Sequence, residues 1–538
     1  MRNVNQSMYD FMKEGVQNDS QTALCFLLRR ISYRELFRET DAIASALMQR
    51  GFKRGDCVTI ALPNIPTAVS AFYACNKLGI TVNLVHPLTP AAQLIEYMNA
   101  CNSSVLFGFD KILNGEIGEL TEAGITVIAC QTQYYLNAGE RTVYEAFTRK
   151  DRNRLKGKVL WFRQLLRVPV LATQSQEPAE TAVIMHSGGT TEKPKSICLS
   201  DRAFNEVAIG TQPLLKVAPK ECMLDVLPMF HAFGLGVCVH SVLSYGGSVA
   251  LIPKYSPKKM ATVMRRHRVT LLVGVPTMFA GMLVQKNFRG RILRRVRAAY
   301  CGGDKLPQKL KREFDERVKA ARGTCVLDEG YGMTECAGVF CANYEGHRRP
   351  GSIGKPIGSN RAAVFDESFR EVLPPNTAGQ LCLCGTTLMN GYLSDRTATE
   401  DALFFYQNET WLKTGDFGKV DEDGYLYFTQ RLKRIVKVSG VPVFPAVVEE
   451  VVGSVEGVLA CCAFAIPHER KGSVLKVCIV ADPSVPNVTE RVDRVCRSRL
   501  NKWEYPREIE QVEALPLTPL GKPDYRALEK RYASERQP

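Results

Sequence analysis

Seven short runs of this chain are apolar almost throughout: CVTIAL (57–62), TVNLV (81–85), SVLFG (104–108), ITVIA (125–129), TAVIM (181–185), SVALI (248–252) and VTLLVGV (269–275). Stretches with helical spacing separate them. A strand that is apolar on both faces needs cover on both faces, and helical crossovers between strands supply it. The pattern therefore predicts an α/β fold with mainly parallel sheets flanked by helices. One helix start is explicit. Ser32-Tyr33-Arg34-Glu35 reads as a capping box, and the helix it opens runs through Leu36, Ile43 and Leu47 to Gly51. The chain is 538 residues long. That exceeds what one hydrophobic core organises, so at least two domains are expected.

Near residue 380 the pattern changes. QLCLCG leads into WLKTGDFGKVDEDGYLYFTQ, with the DEDG turn between Val420 and Tyr425 reading as a hairpin in a β-subdomain. A smaller α/β unit starts near Ala446 and closes on a charged helix. The expected division is a large N-terminal domain, 1–432, and a small C-terminal domain, 433–538, with RLKRIVKVSG (431–440) as the hinge. Val226 to Pro253 carries no Lys, Arg, Asp or Glu, but Pro228, His231 and several glycines interrupt it. A buried strand–loop–strand run is expected there rather than a membrane helix.

The net charge of +15 suits polyanionic partners such as nucleotides or coenzyme A. No recognition motif supports nucleic-acid binding. The densest basic segment, KDRNRLKGKVLWFRQLLR (150–167), sets Trp161, Phe162, Leu165 and Leu166 at nearly helical spacing. Packing on its own domain is the expectation, with a peripheral membrane contact as the alternative. The eighteen cysteines are scattered without a CxxC and only seven histidines are present, so a zinc site has little support. The N-terminal MRNVNQSMYDFMKEG lacks the apolar core of a signal peptide. Reduced cysteines and a cytoplasmic location are expected.

HSGGTTEKPKS (186–196) leaves an apolar run and enters a segment of glycines, hydroxyls and lysines, a composition suited to phosphate. It is not GxxxxGK[ST], and neither GxGxxG after a strand nor GxSxG occurs elsewhere. Beyond it the chain carries, in order, VLPMFHAFGLG, CGGDKLP, EGYGMTE, PGSIGKP, WLKTGDFGKVDEDGYLYF, QRLKRIVKVSGVPVFPAVVEE and PLTPLGKPDYRAL. Taken together, these segments resemble the AMP-forming adenylate superfamily, which includes acyl- and aryl-CoA synthetases, luciferases and peptide-synthetase adenylation domains. The resemblance covers nearly the whole chain.

The resemblance implies a small C-terminal domain that is mobile, and roles for particular residues. Ser187, Gly188, Gly189, Thr190, Thr191 and Lys195 would wrap the β- and γ-phosphates of ATP, although Glu192 and Ser196 stand where glycines are usual. Thr334 would bond a phosphate and Glu335 would hold Mg²⁺, a hard cation suited to carboxylate and phosphate oxygens. Gly302, Gly303 and Asp304 would lie along adenine, with Tyr331 stacked on it before Gly332. Asp416 would accept from both ribose hydroxyls, since one carboxylate has two acceptor oxygens. Arg431 would contact ribose or phosphate, and Gln430 replaces a usual glycine before it. Lys433 would be the hinge, and Gly440 would face coenzyme A after the domain swings. Lys522 would contact the acid and the α-phosphate, although Pro523 and Tyr525 differ from the usual aliphatic residue and arginine.

The implied reaction has two steps. A carboxylic acid and ATP give acyl-AMP and pyrophosphate, and a thiol then displaces AMP. The segment FHAFGLG (230–236) has no carboxylate to hold an amino group, so an amino acid is disfavoured. His231, Phe233, Gly234 and Val275 are the candidate pocket residues, and they suggest a medium- or long-chain fatty acid, with an aryl acid next. Coenzyme A is the expected acceptor, and an acyl carrier protein is the alternative. A non-catalytic homologue that binds nucleotide or acyl-adenylate is a reading of another class.

Overall fold

The computed structural model describes residues 2–534 apart from 114, 172–174, 188–193, 440, 469–471 and 518–522. The chain forms two compact units. One comprises Met1–Arg361 with Cys384–Leu412, and the other Ala362–Leu383 with Lys413–Pro538.

All seven apolar runs become strands of the first unit, in two sheets. In one, the order is Leu160–Trp161, Thr126–Cys130, Val105–Phe109, Cys57–Ala61, Thr81–Leu84, Val183–His186, Ser196–Leu199 and Gly391–Tyr392. Its strands run parallel as far as Val183–His186, after which Ser196–Leu199 and Gly391–Tyr392 join antiparallel. The other sheet places Ser248–Leu251, Cys222–Asp225, Leu271–Gly274, Ala298–Cys301 and Leu327–Tyr331 side by side and parallel. Helices cover both sheets. Tyr33–Met48 carries the capping box expected at Ser32 and Glu35. Pro66–Lys77 is buried at every position and begins with proline at its first residue, where the missing N–H costs nothing.

Two segments differ from expectation. Residues 226–253 contain a helix in place of a loop, with Phe233–His240 wound as a π-helix that continues into Ser241–Leu243. A Cβ on Gly234 would lie 2.2 Å from the Pro228 carbonyl oxygen, and one on Gly236 would lie 2.9 Å from that of Ala337. These glycines let the helix press against backbone on two sides. A helix buried all round has no polar face, so it leaves no amphipathic period to read. The segment 150–167 is not one helix. Ala138–Leu155 is helical, Leu160–Trp161 is a strand and Phe162–Leu165 is a short second helix. Phe162 and Leu165 are fully buried, so that apolar pair faces its own domain.

In the second unit, residues 416–420 pair with Leu426–Arg431 in the hairpin expected around DEDG. The C-terminal sheet is ordered Val441–Val443, Val436–Val438, Gly472–Ala481 and Val458–His468, with Glu508–Gln511 parallel to Gly472–Ala481. Pro445–Gly453, Val488–Arg499 and Tyr525–Ser534 pack on it around Val448, Phe464, Val492 and Leu528. Among the described residues no disulfide forms, and no helix is long and apolar enough to cross a membrane.

Candidate functional site

The hairpin Val183–His186/Ser196–Leu199 brings the two ends of the glycine-rich segment together. His186 pairs with Ser196, and Ser187 N–H donates to the Lys195 carbonyl at 2.9 Å. Lys195 N–H donates in return to Ser187 Oγ at 2.9 Å. Ser187 and Lys195 are therefore held at the neck of the loop. Gly188, Gly189, Thr190 and Thr191 lie outside the described residues, together with Glu192 and Lys193.

From that neck the geometry leads to Glu335. The strand Gly391–Tyr392 pairs with Ile197–Cys198, which sets Tyr392 beside Lys195, whose Nζ lies 4.7 Å from the Tyr392 ring centre. The Tyr392 hydroxyl donates to Glu335 Oε1 at 3.2 Å, and Met389 N–H donates to the Glu335 carbonyl at 2.8 Å. Burial, and then the neighbouring Glu335 carboxylate, raise the Tyr392 pKa, so the phenol keeps its proton and acts as donor. Thr334 opens the short turn Thr334–Cys336 that carries Glu335. A cation, an aromatic donor and a carboxylate thus converge from three segments. The sequence marks Lys195 and Glu335. Tyr392 carries no local signal, because its role comes from a strand pairing across nearly two hundred residues.

Tyr331, Gly332, Gly302 and Gly303 lie at one cleft. Tyr331 ends the strand Leu327–Tyr331, and its carbonyl accepts from Phe340 N–H at 2.8 Å. A Cβ on Gly332 would lie 2.4 Å from the Gly338 carbonyl oxygen and 2.6 Å from Val339 Cα, so only glycine fits. Gly302 leaves room for the Phe233 ring, which a Cβ would approach to 3.2 Å. Thr211, Leu214, Leu215, Phe233, Val237, Val273 and Tyr300 line the cleft beside these glycines. The Tyr300 hydroxyl donates to the Leu214 carbonyl at 3.4 Å.

Of the other candidate pocket residues, Gly234 lies against the Pro228 carbonyl and Val275 sits by Gly303. His231 packs on Phe230, which in turn packs on His86, with ring centres 4.8 and 4.7 Å apart. Burial, reinforced by His86, depresses the His231 pKa to about 4, so its ring is neutral at ordinary pH. Asp304 Oδ1 accepts from Lys305 N–H at 2.9 Å.

In the second unit, Asp416 faces Arg431 across the hairpin, with Arg431 Nε 2.9 Å from Asp416 Oδ1. The carboxylate is buried and the guanidinium is mostly exposed. Lys433 lies in the turn Leu432–Arg434. Gly440 and Lys522 lie outside the described residues.

The model of the AMP-binding enzyme family matches residues 12–393, and that of the AMP-binding enzyme C-terminal domain matches residues 447–522. The chain belongs to the AMP-binding enzyme family. It is similar to a long-chain-fatty-acid–CoA ligase of Bacillus subtilis (strain 168), with 27% identity over 93% of this chain and 90% of that protein. It is 28% identical to a feruloyl-CoA synthase of an Amycolatopsis species, over 91% of this chain and 92% of that one. Its fold superposes on that of ATP-bound MatB from Rhodopseudomonas palustris with a TM-score of 0.86, at 22% identity and over the full length of both chains.

Within this AMP-binding enzyme, three departures from the family pattern have local partners. Ser196 Oγ donates to His186 Nδ1 at 3.1 Å, while His186 Nε2 donates to Asn83 Oδ1 at 2.8 Å. The His186 ring also stacks on Tyr97, with centres 3.9 Å apart, and burial lowers its pKa to about 4. Gln430 accepts from Ala446 N–H at 3.2 Å. Tyr525 lies under the Arg434 guanidinium at 5.0 Å, and Arg434 also bonds Glu449 and the Ala463 carbonyl. Sequence reasoning missed a further acid, Glu329, the first residue of EGYGMTE. Its Oε1 accepts from Leu306 N–H at 3.0 Å, and burial pushes its pKa up to about 7.

Proposed function

We propose that this AMP-binding enzyme is an ATP-dependent acid–thiol ligase that joins an apolar carboxylic acid to coenzyme A through an acyl-AMP intermediate. The observation that carries the reading is the convergence of Lys195, Tyr392 and Glu335 at the neck of the glycine-rich loop. Family membership supports the reaction class, and the apolar lining beside Gly302 and Gly303 supports the class of acid. We assign the cleft to a medium- or long-chain fatty acid first and an aryl acid second.

Attack of a carboxylate on a phosphate brings two anions together, so the site must offset their repulsion. Lys195 and the loop hydroxyls would hold the β- and γ-phosphates, and Thr334 would bond a phosphate oxygen. Glu335 would hold Mg²⁺, whose charge would neutralise phosphate oxygens. Among the described residues no group of three or more His, Cys, Asp or Glu is assembled. A single carboxylate suits this cation, which keeps waters and takes its other ligands from phosphate. Tyr331 would stack on adenine, and Asp416 would accept from the ribose hydroxyls while Arg431 fixes its orientation. Lys522 would carry positive charge to the reacting carboxylate and α-phosphate. Withdrawal of Lys522 by rotation at Lys433 would then open the way for the thiol past Gly440.

Two measurements test this. Pyrophosphate release across fatty and aryl acids, combined with mass detection of acyl-CoA, should give turnover on apolar acids, and its absence across the set ends the enzyme reading. Lys522→Ala should abolish adenylation yet leave thioester formation from preformed acyl-AMP largely intact. Equal loss of both half-reactions removes Lys522 from the first step. Replacing coenzyme A by a holo-acyl carrier protein in the same assay separates the two acceptors.

A further inference from the structure

We propose that the helix Ala138–Leu155 docks this protein on anionic phospholipid bilayers, with Val143 and Phe147 entering the interface and neighbouring cations meeting the lipid phosphates. The proposal is independent of the ligase reading. Phe147 is 83% exposed and Val143 is 57% exposed, more than most large apolar side chains of this protein. They are one turn apart and share a face. Lys150 and Arg154 continue that face toward the C-terminal end, with Arg149 beside them, and all three are exposed. Lys156 and Lys158 come next and are also exposed.

The adjoining side of the helix is anchored. Thr148 and Leu155 are buried, and the Tyr144 hydroxyl donates to Asp110 Oδ1 at 3.4 Å. A capping box between Asn137 and Glu140 fixes the first turn. Phe147 is therefore presented by a docked helix. Of the helix acids, Glu145 pairs with Arg141 at 2.9 Å and Glu140 is engaged by the cap, which leaves Asp151, one turn beyond Phe147, against the cations Arg149, Lys150 and Arg154. An apolar tip flanked by lysine and arginine on a helix lying along the surface is the arrangement of interfacial helices. The long-range charge of +15 adds attraction to an anionic leaflet. A side chain as exposed as Phe147 stands on a ridge. A ridge can enter lipid directly, whereas a protein partner must offer a matching hollow. The apolar residues that follow in the basic segment, Phe162 and Leu165, are turned inward, so the contact is assigned to the helix Ala138–Leu155.

The test is sedimentation of the full chain with phosphatidylcholine vesicles, with and without phosphatidylglycerol. The wild type should bind the anionic vesicles, bind the neutral ones weakly, and be released by high salt. Phe147→Ser should weaken partitioning about tenfold, from the lost apolar contact. Lys150→Glu with Arg154→Glu should weaken it at least about twentyfold, about fivefold for each cation removed. Both variants should melt like the wild type and keep its activity in detergent-free solution. Equal binding to neutral and anionic vesicles, no binding by the wild type, or variants that bind like the wild type would overturn the proposal. Capture of an acidic carrier protein through Phe147 without vesicle binding would also overturn it and assign the face to a protein.

Discussion

Replacing Tyr392 by phenylalanine removes one oxygen and leaves the ring. In the structure that oxygen donates to Glu335 Oε1 at 3.2 Å, while the ring lies 4.7 Å from Lys195 Nζ. A hydrogen bond to a charged acceptor contributes about 1.5–3 kcal/mol when buried. Tyr392 and Glu335 are both half-buried, so solvent screens the contact and about 1 kcal/mol remains, or about fivefold. Glu335 is assigned to the bound metal–nucleotide, so the loss should appear as a raised KM for MgATP with kcat little changed. The assay is acid-dependent pyrophosphate release over a range of ATP concentrations. Tyr392→Leu, which also removes the ring beside Lys195, should cost more than Tyr392→Phe. Glu335→Gln supplies the decisive comparison, because two residues acting through one contact are non-additive. If Tyr392→Phe costs as much in the Glu335→Gln background as in the wild type, the hydroxyl does not act through Glu335 and the reasoning fails.

The same geometry fixes three further outcomes. Tyr300→Ala should shift the preferred acid toward longer or bulkier chains, by up to about fourfold in kcat/KM per added methylene, and an unchanged chain-length profile would move the acid elsewhere. Gly332→Ala puts a methyl 2.4 Å from the Gly338 carbonyl oxygen; pyrophosphate release should be lost with a lowered Tm, and wild-type activity would refute the close approach. Glu329 titrates at about 7 in the folded chain against an ordinary 4.5, so its stabilising effect is complete below pH 4.5 and is lost as pH rises to about 7. Glu329→Gln should remove that decline and be more stable than the wild type at pH 8 by about 1–2 kcal/mol, after discounting the group's partial exposure. Denaturant titrations of both proteins at pH 4.5 and 8 check the sign.

What was legible in the sequence divides along a physical line. A strand covered on both faces must be apolar at consecutive positions, so Cys57–Ala61, Leu271–Gly274 and their neighbours could be read directly. Ser187 and Lys195 stand out in a segment whose composition suits phosphate, and Thr334 and Glu335 are marked by the resemblance of EGYGMTE to a family motif. The residues that orient those groups answer to no local demand. Tyr392 is placed by pairing with Ile197, and His186 is held by Asn83 from another strand and by Ser196 across a hairpin. Ser196 reads as a departure from a glycine pattern until its partner is seen. Phe233–His240 fails for a different reason: cover on every side erases the period by which a helix is recognised. Phe147 is the converse case. In a helix an apolar residue is ordinarily read as core, and nothing in its neighbours says otherwise. Only the burial of Thr148 and Leu155 on the adjoining side fixes which side meets the domain and leaves Phe147 outside. Groups proposed to touch a ligand are thus visible in one dimension, by composition or by motif. Groups that orient them, or that meet a surface outside the chain, are constrained by packing and become visible only when the chain is folded.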